Sequence, residues 1–223
     1  MNDYQWRFGP VFESLPNLAV GMMYNVWLAI LSILIGFSIG LVIGLGRYSR
    51  NRLIRWPATA YVELFRNTPV LVQIFWFFFA FPIISPIQIS PFAAALLGLS
   101  LNTGAFSAEI FRGGIQSIAR GQWEAGKALG MTYLEQLRII ILPQAIKRMV
   151  PALTNRGLEV FKMTTLASAV AFSEILYRGK LISFDYFNPI ETYTIIALIF
   201  FAAVYPLTRV VQRFEVNQKQ GGR

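Results

Sequence analysis

The side chains that run most enzymatic chemistry are missing from this chain. Its 223 residues hold no His and no Cys, which removes imidazole and thiolate metal ligation, disulfides, and Ser-His or Cys-His catalysis together. No catalytic residue and no metal ligand set is expected. Gly121, Gly126 and Lys127 match the start of a phosphate-binding loop, G-x-x-x-x-G-K-[ST]. The next position is Ala128, which lacks the hydroxyl that ligates Mg²⁺; no strand precedes the segment, and Glu124 would sit inside the anion cradle. What remains is a set of polar groups inside apolar sequence: Lys162 with Arg156 and Glu159, the pair Asn102 and Thr103, the pair Thr164 and Thr165, and Glu174.

The elements that must position these groups are membrane spans. The chain is 55% hydrophobic and only 14% charged, with mean hydropathy +0.52, against about 25% charged in soluble domains. A helix needs roughly 20 apolar residues to cross a hydrocarbon core. Residues 14–46 carry no charge and give a first span, about 18–46. Residues 67–108 are also uncharged, but Pro82, Pro86 and Pro91 break the ladder in mid-run, so the run folds back as two spans, 62–82 and 89–110. The stretch 149–172 reads as a polar fourth span, charged in its first half and uncharged from 163 to 173, and 191–212 gives a fifth. The expected fold class is all-α: a single polytopic transmembrane domain over 1–223 with about five transmembrane helices.

The distribution of Lys and Arg orients it. Arg47, Arg50, Arg52 and Arg55 crowd the first loop, Arg112, Arg120, Lys127, Arg138, Lys147 and Arg148 the third, and Arg209, Arg213, Lys219 and Arg223 the tail. These face the cytoplasm. The start has only Arg7 against Asp3 and Glu13, the proline turn has no charge, and the segment after Phe172 mixes Glu174, Arg178, Lys180 and Asp185. Those face outside, so the N-terminus is outside and the C-terminus cytoplasmic. The net charge of +9 then serves orientation and the anionic face of the lipid bilayer, at about 1 kcal/mol per basic residue, with no nucleic acid as partner. The first run is too long for a removable signal peptide.

The loop between spans 3 and 4, about 112–145, centres on GQWEAGKALGMTYLEQLRIIILPQAI. Residues 122–129 form a short helix ended by Gly130, which can take the left-handed C′ position, and 132–142 form a second, amphipathic helix. A helix, a glycine elbow and another helix, with small residues on one side, make a plug for a groove on a partner; a hairpin packed on the chain's own spans is the alternative. Glu124, Ala125 and Gly126, then Gly130, then Ile140, Leu142 and Pro143 resemble the EAA loop of ABC-importer permeases. That pattern is Glu-Ala-Ala, three residues, Gly, nine residues, Ile, one residue, Leu-Pro, and Gly126 replaces its third small residue.

The similarity covers about 18–212. FRNTPVLVQ (65–73) is similar to the Arg-x-Thr-Pro-x-x-x-Gln segment of polar amino acid permeases, and TGAFSAEIFRGGI (103–115) to the run before their EAA loop, with Phe106 where Tyr is common. FKMTTLASAVAFSEIL (161–176) resembles their Lys-x-Thr-Ser-Leu segment, with Thr165 replacing Ser. The resemblance implies a multi-pass permease subunit of an ATP-driven importer of polar amino acids in the bacterial cytoplasmic (inner) membrane. Its partners would be ABC ATPase subunits carrying ATP and Mg, a second permease copy or a paralogue, and a periplasmic or extracellular solute-binding protein; this chain would bind no cofactor and would be no enzyme. Glu124, Ala125, Gly126, Ala128, Gly130, Leu142 and Pro143 would form the cytoplasmic coupling helix and its flanks. The rival is an ATP-independent secondary transporter or channel, for which only Glu159 offers a buried coupling acid.

Intramembrane polar groups cost about 2.5 to 3.5 kcal/mol when charged at mid-depth, which makes them candidates for function. An amino acid carries a carboxylate that Lys162 can meet, with Asn102, Thr103, Thr164 and Thr165 as helpers, and Glu174, also a substrate candidate, would lie at the outer mouth or a gate. Structural readings stand beside these. Lys162 can pair with Glu159, Arg66 with Glu63, and Glu109 with Arg112; Pro69 pushes Thr68 out of helical geometry. Gly36, Gly40 and Gly44 give the first span a small-residue packing face.

Overall fold

The computed structural model describes residues 4–49 and 51–220, with side chains described as far as Val211. Asp3, Arg50 and Arg223, and the side chains of Arg213 and Lys219, which entered the charge pattern, lie outside the described residues.

Every regular element among the described residues is helical. A short α1 (Gly9–Glu13) precedes α2 (Leu15–Tyr48), which runs through the first uncharged stretch and ends beside Arg47. Helix α3 (Arg52–Asn67) is opened by Asn51, whose side chain accepts from the Leu53 N–H at 2.9 Å, and is ended by Pro69. Thr68 is extended there (φ −108°, ψ 131°), because the proline ring excludes helical geometry from the residue before it. Helix α4 (Val70–Phe75) continues through a π-helical turn (Trp76–Ala80) into α5 (Phe81–Ile84). After the proline turn come α6 (Pro91–Gln116) and α7 (Arg120–Ala128). A helix then starts as α8 (Tyr133–Glu135), passes a π-helical stretch (Gln136–Ile141) and continues as α9 (Leu142–Met163). A 3-10 turn (Thr164–Val170), α10 (Ile175–Tyr186) and α11 (Pro189–Gln220) complete the chain.

Among the described residues three helices are long and apolar enough to cross a membrane: Leu15–Tyr48, Pro91–Gln116 and Pro189–Val211. The bent pairs Arg52–Asn67 with Val70–Ile84 (104°) and Tyr133–Val170 with Ile175–Tyr186 (49°) bring the number up to five if each pair is one span. The protein is thus a polytopic, all-α membrane protein, but two expected spans differ in form. The second, expected as one span over 62–82 with Thr68 out of helical geometry, ends its first helix at Asn67, since Pro69 has no N–H to continue the ladder. The fourth, expected over 149–172, ends its α-helix at Met163, tightens to 3-10 geometry and turns at Ala171 in the left-handed region (φ 59°). The amphipathic helix expected to stop at Leu142 runs on to Met163. Both π-helical stretches end two residues ahead of a proline, Pro82 and Pro143, where the wider register accommodates the missing donor.

The chain divides into two units, which share α2, α6, α9 and α11. The first comprises Met1–Ile33, Pro69–Ser100 and Leu158–Arg209. One of its cores packs Leu28, Ile74, Ala95, Leu99, Ala167 and Val170; the other packs Val11, Leu18, Ile175, Ile182 and Ile196. Its N-terminal strap is polar: the Tyr4 hydroxyl donates to Glu191 at 2.5 Å and the Arg7 N–H at 2.6 Å, and the carboxylate raises the Tyr4 phenol above its ordinary pKa. The second unit comprises Leu34–Thr68, Leu101–Gly157 and Val210–Arg223. Ile115, Ile118, Ile141, Ala145 and Met149 form its core. Gly36, Gly40 and Gly44 are all buried. A Cβ on Gly40 would come within 2.5 Å of the Ser107 Cβ, and one on Gly44 within 2.9 Å of the Ala108 carbonyl, so α2 and α6 meet there at a distance only glycine allows.

Candidate functional site

The hairpin between α6 and α9 is built by complementary stop and start signals. At the end of α7 the Gly130 N–H donates to the Lys127 carbonyl (2.9 Å) and the Met131 N–H to the Gly126 carbonyl (3.1 Å), with Gly130 at φ 75°. This is a Schellman termination, and the left-handed residue it requires is the glycine of the motif. Two residues on, Thr132 opens the next helix with a capping box. Its N–H donates to the Glu135 carboxylate at 2.7 Å, and its hydroxyl oxygen accepts from the Glu135 N–H at 3.4 Å. Trp123 stacks on Tyr133 with centroids 5.6 Å apart and planes 16° apart, and the Gln144 amide donates to Gln122 at 3.2 Å.

This frame divides the motif residues. Gly126 faces inward and is buried, while Glu124, Ala125, Ala128 and Gly130 are exposed. Glu124 pairs with Arg120 at 3.0 Å, with both side chains largely in solvent. Beside them Leu129 is 76% and Leu134 70% exposed, an apolar tip next to small residues. Leu142 and Pro143 are exposed at the start of α9. The helix expected over 122–129 spans Arg120–Ala128.

The candidate substrate residues fall in both units. In the first, Lys162 is exposed on the last turn of α9, and among the described residues no ion pair within 4.0 Å involves it, in contrast to the expected pairing with Glu159. The Thr165 hydroxyl donates to the Lys162 carbonyl at 2.9 Å. Thr164 and Glu174 are fully buried and belong to a network centred on Asn25, which sequence reasoning missed. The Asn25 amide donates to the Thr164 hydroxyl (2.9 Å) and to Glu174 (2.8 Å), and its oxygen accepts from the Ile175 N–H (3.1 Å). Glu174 also accepts from the Tyr177 N–H at 2.9 Å as the N-cap of α10. It is thus the buried N-cap of α10. The available signal was a lone amide in an uncharged apolar run, costly there unless bonded.

In the second unit Asn102 is buried and bonded at both ends. Its amide donates to the Phe65 carbonyl at 2.8 Å, the acceptor whose helical donor would have been the N–H that Pro69 lacks. Its oxygen accepts from Arg156 at 2.7 Å, and the Arg156 guanidinium lies 4.2 Å from the centre of the Phe106 ring. Asn102 thus bonds both the carbonyl freed at the break in α3 and a buried arginine. Thr103 is buried, with its hydroxyl lacking a hydrogen-bond partner. Arg66 turns to Glu109 (4.0 Å) and not to Glu63, which accepts from Asn67 at 3.0 Å. Glu109 pairs with Arg112 at 2.6 Å, as expected, and also with Arg47.

Residues 36–40 spell G-x-S-x-G, a nucleophile-elbow pattern, yet they lie inside α2, and the Ser38 hydroxyl donates to the Leu34 carbonyl of its own helix at 2.8 Å. With no His in the chain, Ser38 has no imidazole base.

Residues 32–216 match the model of the binding-protein-dependent transport system inner membrane component family. The chain is 39% identical over 206 residues to the probable amino-acid ABC transporter permease protein YckA of Bacillus subtilis (strain 168), covering 91% of each. It is 32% identical to the glutamine transport system permease protein GlnP of Escherichia coli (strain K12), covering 96% of this chain and 99% of that one. Its backbone matches a crystal structure of an amino acid ABC transporter with histidines at TM-score 0.92 and 31% identity, over 96% of this chain and 100% of the other. Matches of this extent, on a helical chain carrying the spaced loop motif, leave one assignment: the chain belongs to the family of binding-protein-dependent transport system inner membrane components, the permeases of ABC transporters.

Proposed function

We propose that this chain is the membrane-spanning subunit of an ATP-driven importer of polar amino acids in a bacterial cytoplasmic membrane, with its N-terminus outside and its C-terminus cytoplasmic. The observation that supports it best is the α7–α8 hairpin. A rigid Schellman turn and capping box present Glu124, Ala125, Ala128 and Leu129 to solvent, a small charged-and-apolar surface suited to a groove on an ATPase subunit. ATP and Mg bind that subunit, and hydrolysis takes place there. Two permeases, either two copies or this chain and a paralogue, enclose the path, since five spans are few to enclose one alone. A solute-binding protein delivers substrate from outside.

Closure of the ATPase pair moves the hairpin, and the hairpin moves α9, with which it is continuous beyond Thr132. Lys162 lies in the last turn of that helix. Its exposed ammonium suits the carboxylate common to amino acids, and Thr165 stands beside it. Thr164 and Glu174 act by holding the helix break through Asn25, and Asn102 by holding Arg156.

The experiment is affinity purification of the tagged chain from mild detergent, with mass spectrometry of what accompanies it and transport assays after reconstitution. Co-purification of an ATPase subunit and ATP-dependent amino acid uptake are the expected results, with Lys162→Ala lowering substrate-stimulated hydrolysis but not assembly. A chain that purifies alone and moves amino acids without ATP would overturn the reading. Unchanged substrate dependence in Lys162→Ala would remove that residue from the site.

A further inference from the structure

Helix α9 carries an exposed polar row into the membrane. Ala152, Asn155, Glu159 and Lys162 are all exposed, at steps of three, four and three residues along a segment that stays α-helical from Leu142 to Met163 in spite of Pro151. That spacing puts the four on one face, over about 15 Å of helix. Met149, Arg156 and Val160 form the buried side. A second exposed row is apolar: Ile146 is 50% and Val150 40% exposed, and Val150 lies about 140° around the helix from Asn155. At the foot of the polar row Arg148 turns aside, donating to the Ser117 hydroxyl at 3.3 Å.

The two exposed faces need different surroundings. Ile146 and Val150 are at home against acyl chains. An acid, an amide and an ammonium within three turns are not, because charged side chains inside a span face water or protein and not hydrocarbon. A second copy packed row on row about a two-fold axis would set Glu159 against Glu159 and Lys162 against Lys162, like charges at close range. Water is the surrounding that suits the row.

The chemistry along the row fits one kind of traveller. Successive turns offer an ammonium at Lys162, a carboxylate at Glu159 and a neutral amide at Asn155, partners for both ends of a zwitterion, and Ala152 then leaves room beside the backbone. We propose that Glu159, Asn155 and Ala152 line the aqueous part of the translocation path between Lys162 and the cytoplasm, along which the amino acid moves after it leaves Lys162. The cargo named here rests on the importer reading; the wet polar face does not.

The chain has no Cys, so single cysteines can be placed in the natural sequence. Ala152→Cys and Asn155→Cys are reconstituted in proteoliposomes with the subunits that accompany the chain, and treated on both sides with a water-soluble cationic methanethiosulfonate, the extent of labelling being read by intact mass. Leu34→Cys and Leu198→Cys, at positions 60% and 56% exposed near the middles of their spans, are the lipid-facing controls. The row cysteines should react at least about tenfold faster than the controls, since the thiolate forms in water and not in hydrocarbon, and a millimolar mixture of the common amino acids should slow them. Equal rates in the row and the controls would overturn the proposal, as would fast labelling that amino acids leave unchanged. Slow labelling of Ala152→Cys with ready disulfide formation between two chains would overturn it too, by showing the row packed against a second copy. ATP-dependent uptake by wild type in the same proteoliposomes tests the importer reading separately: uptake without ATP would overturn that reading and leave the labelling result standing.

Discussion

A Cβ added to Gly126 would lie 2.7 Å from the Cγ of Gln136. Gln136 is itself buried, and its amide donates to the Met131 carbonyl at 2.8 Å, so the two sides of the hairpin are interlocked at the one motif position where this chain carries Gly in place of Ala. Gly126→Ala should lower stability by about 1 to 3 kcal/mol through overpacking, read as a drop in apparent melting temperature in detergent. Gln136→Ala added to it should restore most of the loss. An undiminished melting temperature in the single variant would show that the two helices are not in this register.

Asn25 is the internal hub of the first unit. Asn25→Leu leaves Thr164, Glu174 and the Ile175 N–H without that partner, and should cost about 3 kcal/mol. Ser38→Ala, on the same helix but bonded only to its own backbone, should stay within about 0.5 kcal/mol of wild type. Thermal unfolding of both in one detergent distinguishes a buried network from a general intolerance of α2, and equal effects would count against the network.

Phe106 lies under Arg156, and Arg66 is 5.4 Å from the centre of the same ring. Phe106→Tyr keeps the aromatic face and should behave as wild type. Phe106→Leu should lose about 1 kcal/mol of cation–π attraction, and Arg156→Lys should be worse, because an ammonium cannot keep both the stacking and the bond to Asn102. Melting temperatures in the reverse order would argue against the stacked arrangement.

Sequence alone carried the parts of this structure that rest on backbone chemistry. Gly130 was legible as a left-handed stop, the proline cluster as a turn between α5 and α6, and Thr68 as a break, because glycine and proline restrict φ in ways no tertiary contact alters. The left-handed turn at Ala171 was not legible, since alanine gives no local sign of it; packing of Ala167 and Val170 in the first core sets the context there. The polar residues were found, but not the groups they bond. Asn102 and Glu174 stood out because intramembrane polarity is costly, while their partners within the chain, a carbonyl released by Pro69 and an amide far away in sequence at Asn25, appear only once the helices are assembled. Glu109 showed its near neighbour Arg112, but not Arg47 and Arg66.

The central claim is that the hairpin transmits ATPase motion to the spans, and Gly130 tests it most directly. A Cβ there would meet nothing within 4 Å, so only the left-handed backbone is at stake, at about 1 to 2 kcal/mol for an ordinary side chain. ATP-driven amino acid uptake should be measured beside ATP hydrolysis in vesicles holding the full complex with Gly130→Asn or Gly130→Val. The account predicts that the asparagine variant, which tolerates the left-handed region, keeps uptake and hydrolysis coupled, while the valine variant inserts and hydrolyses ATP but loses at least about tenfold in uptake per ATP. Full uptake by the valine variant, or uptake that persists without ATP, would contradict it.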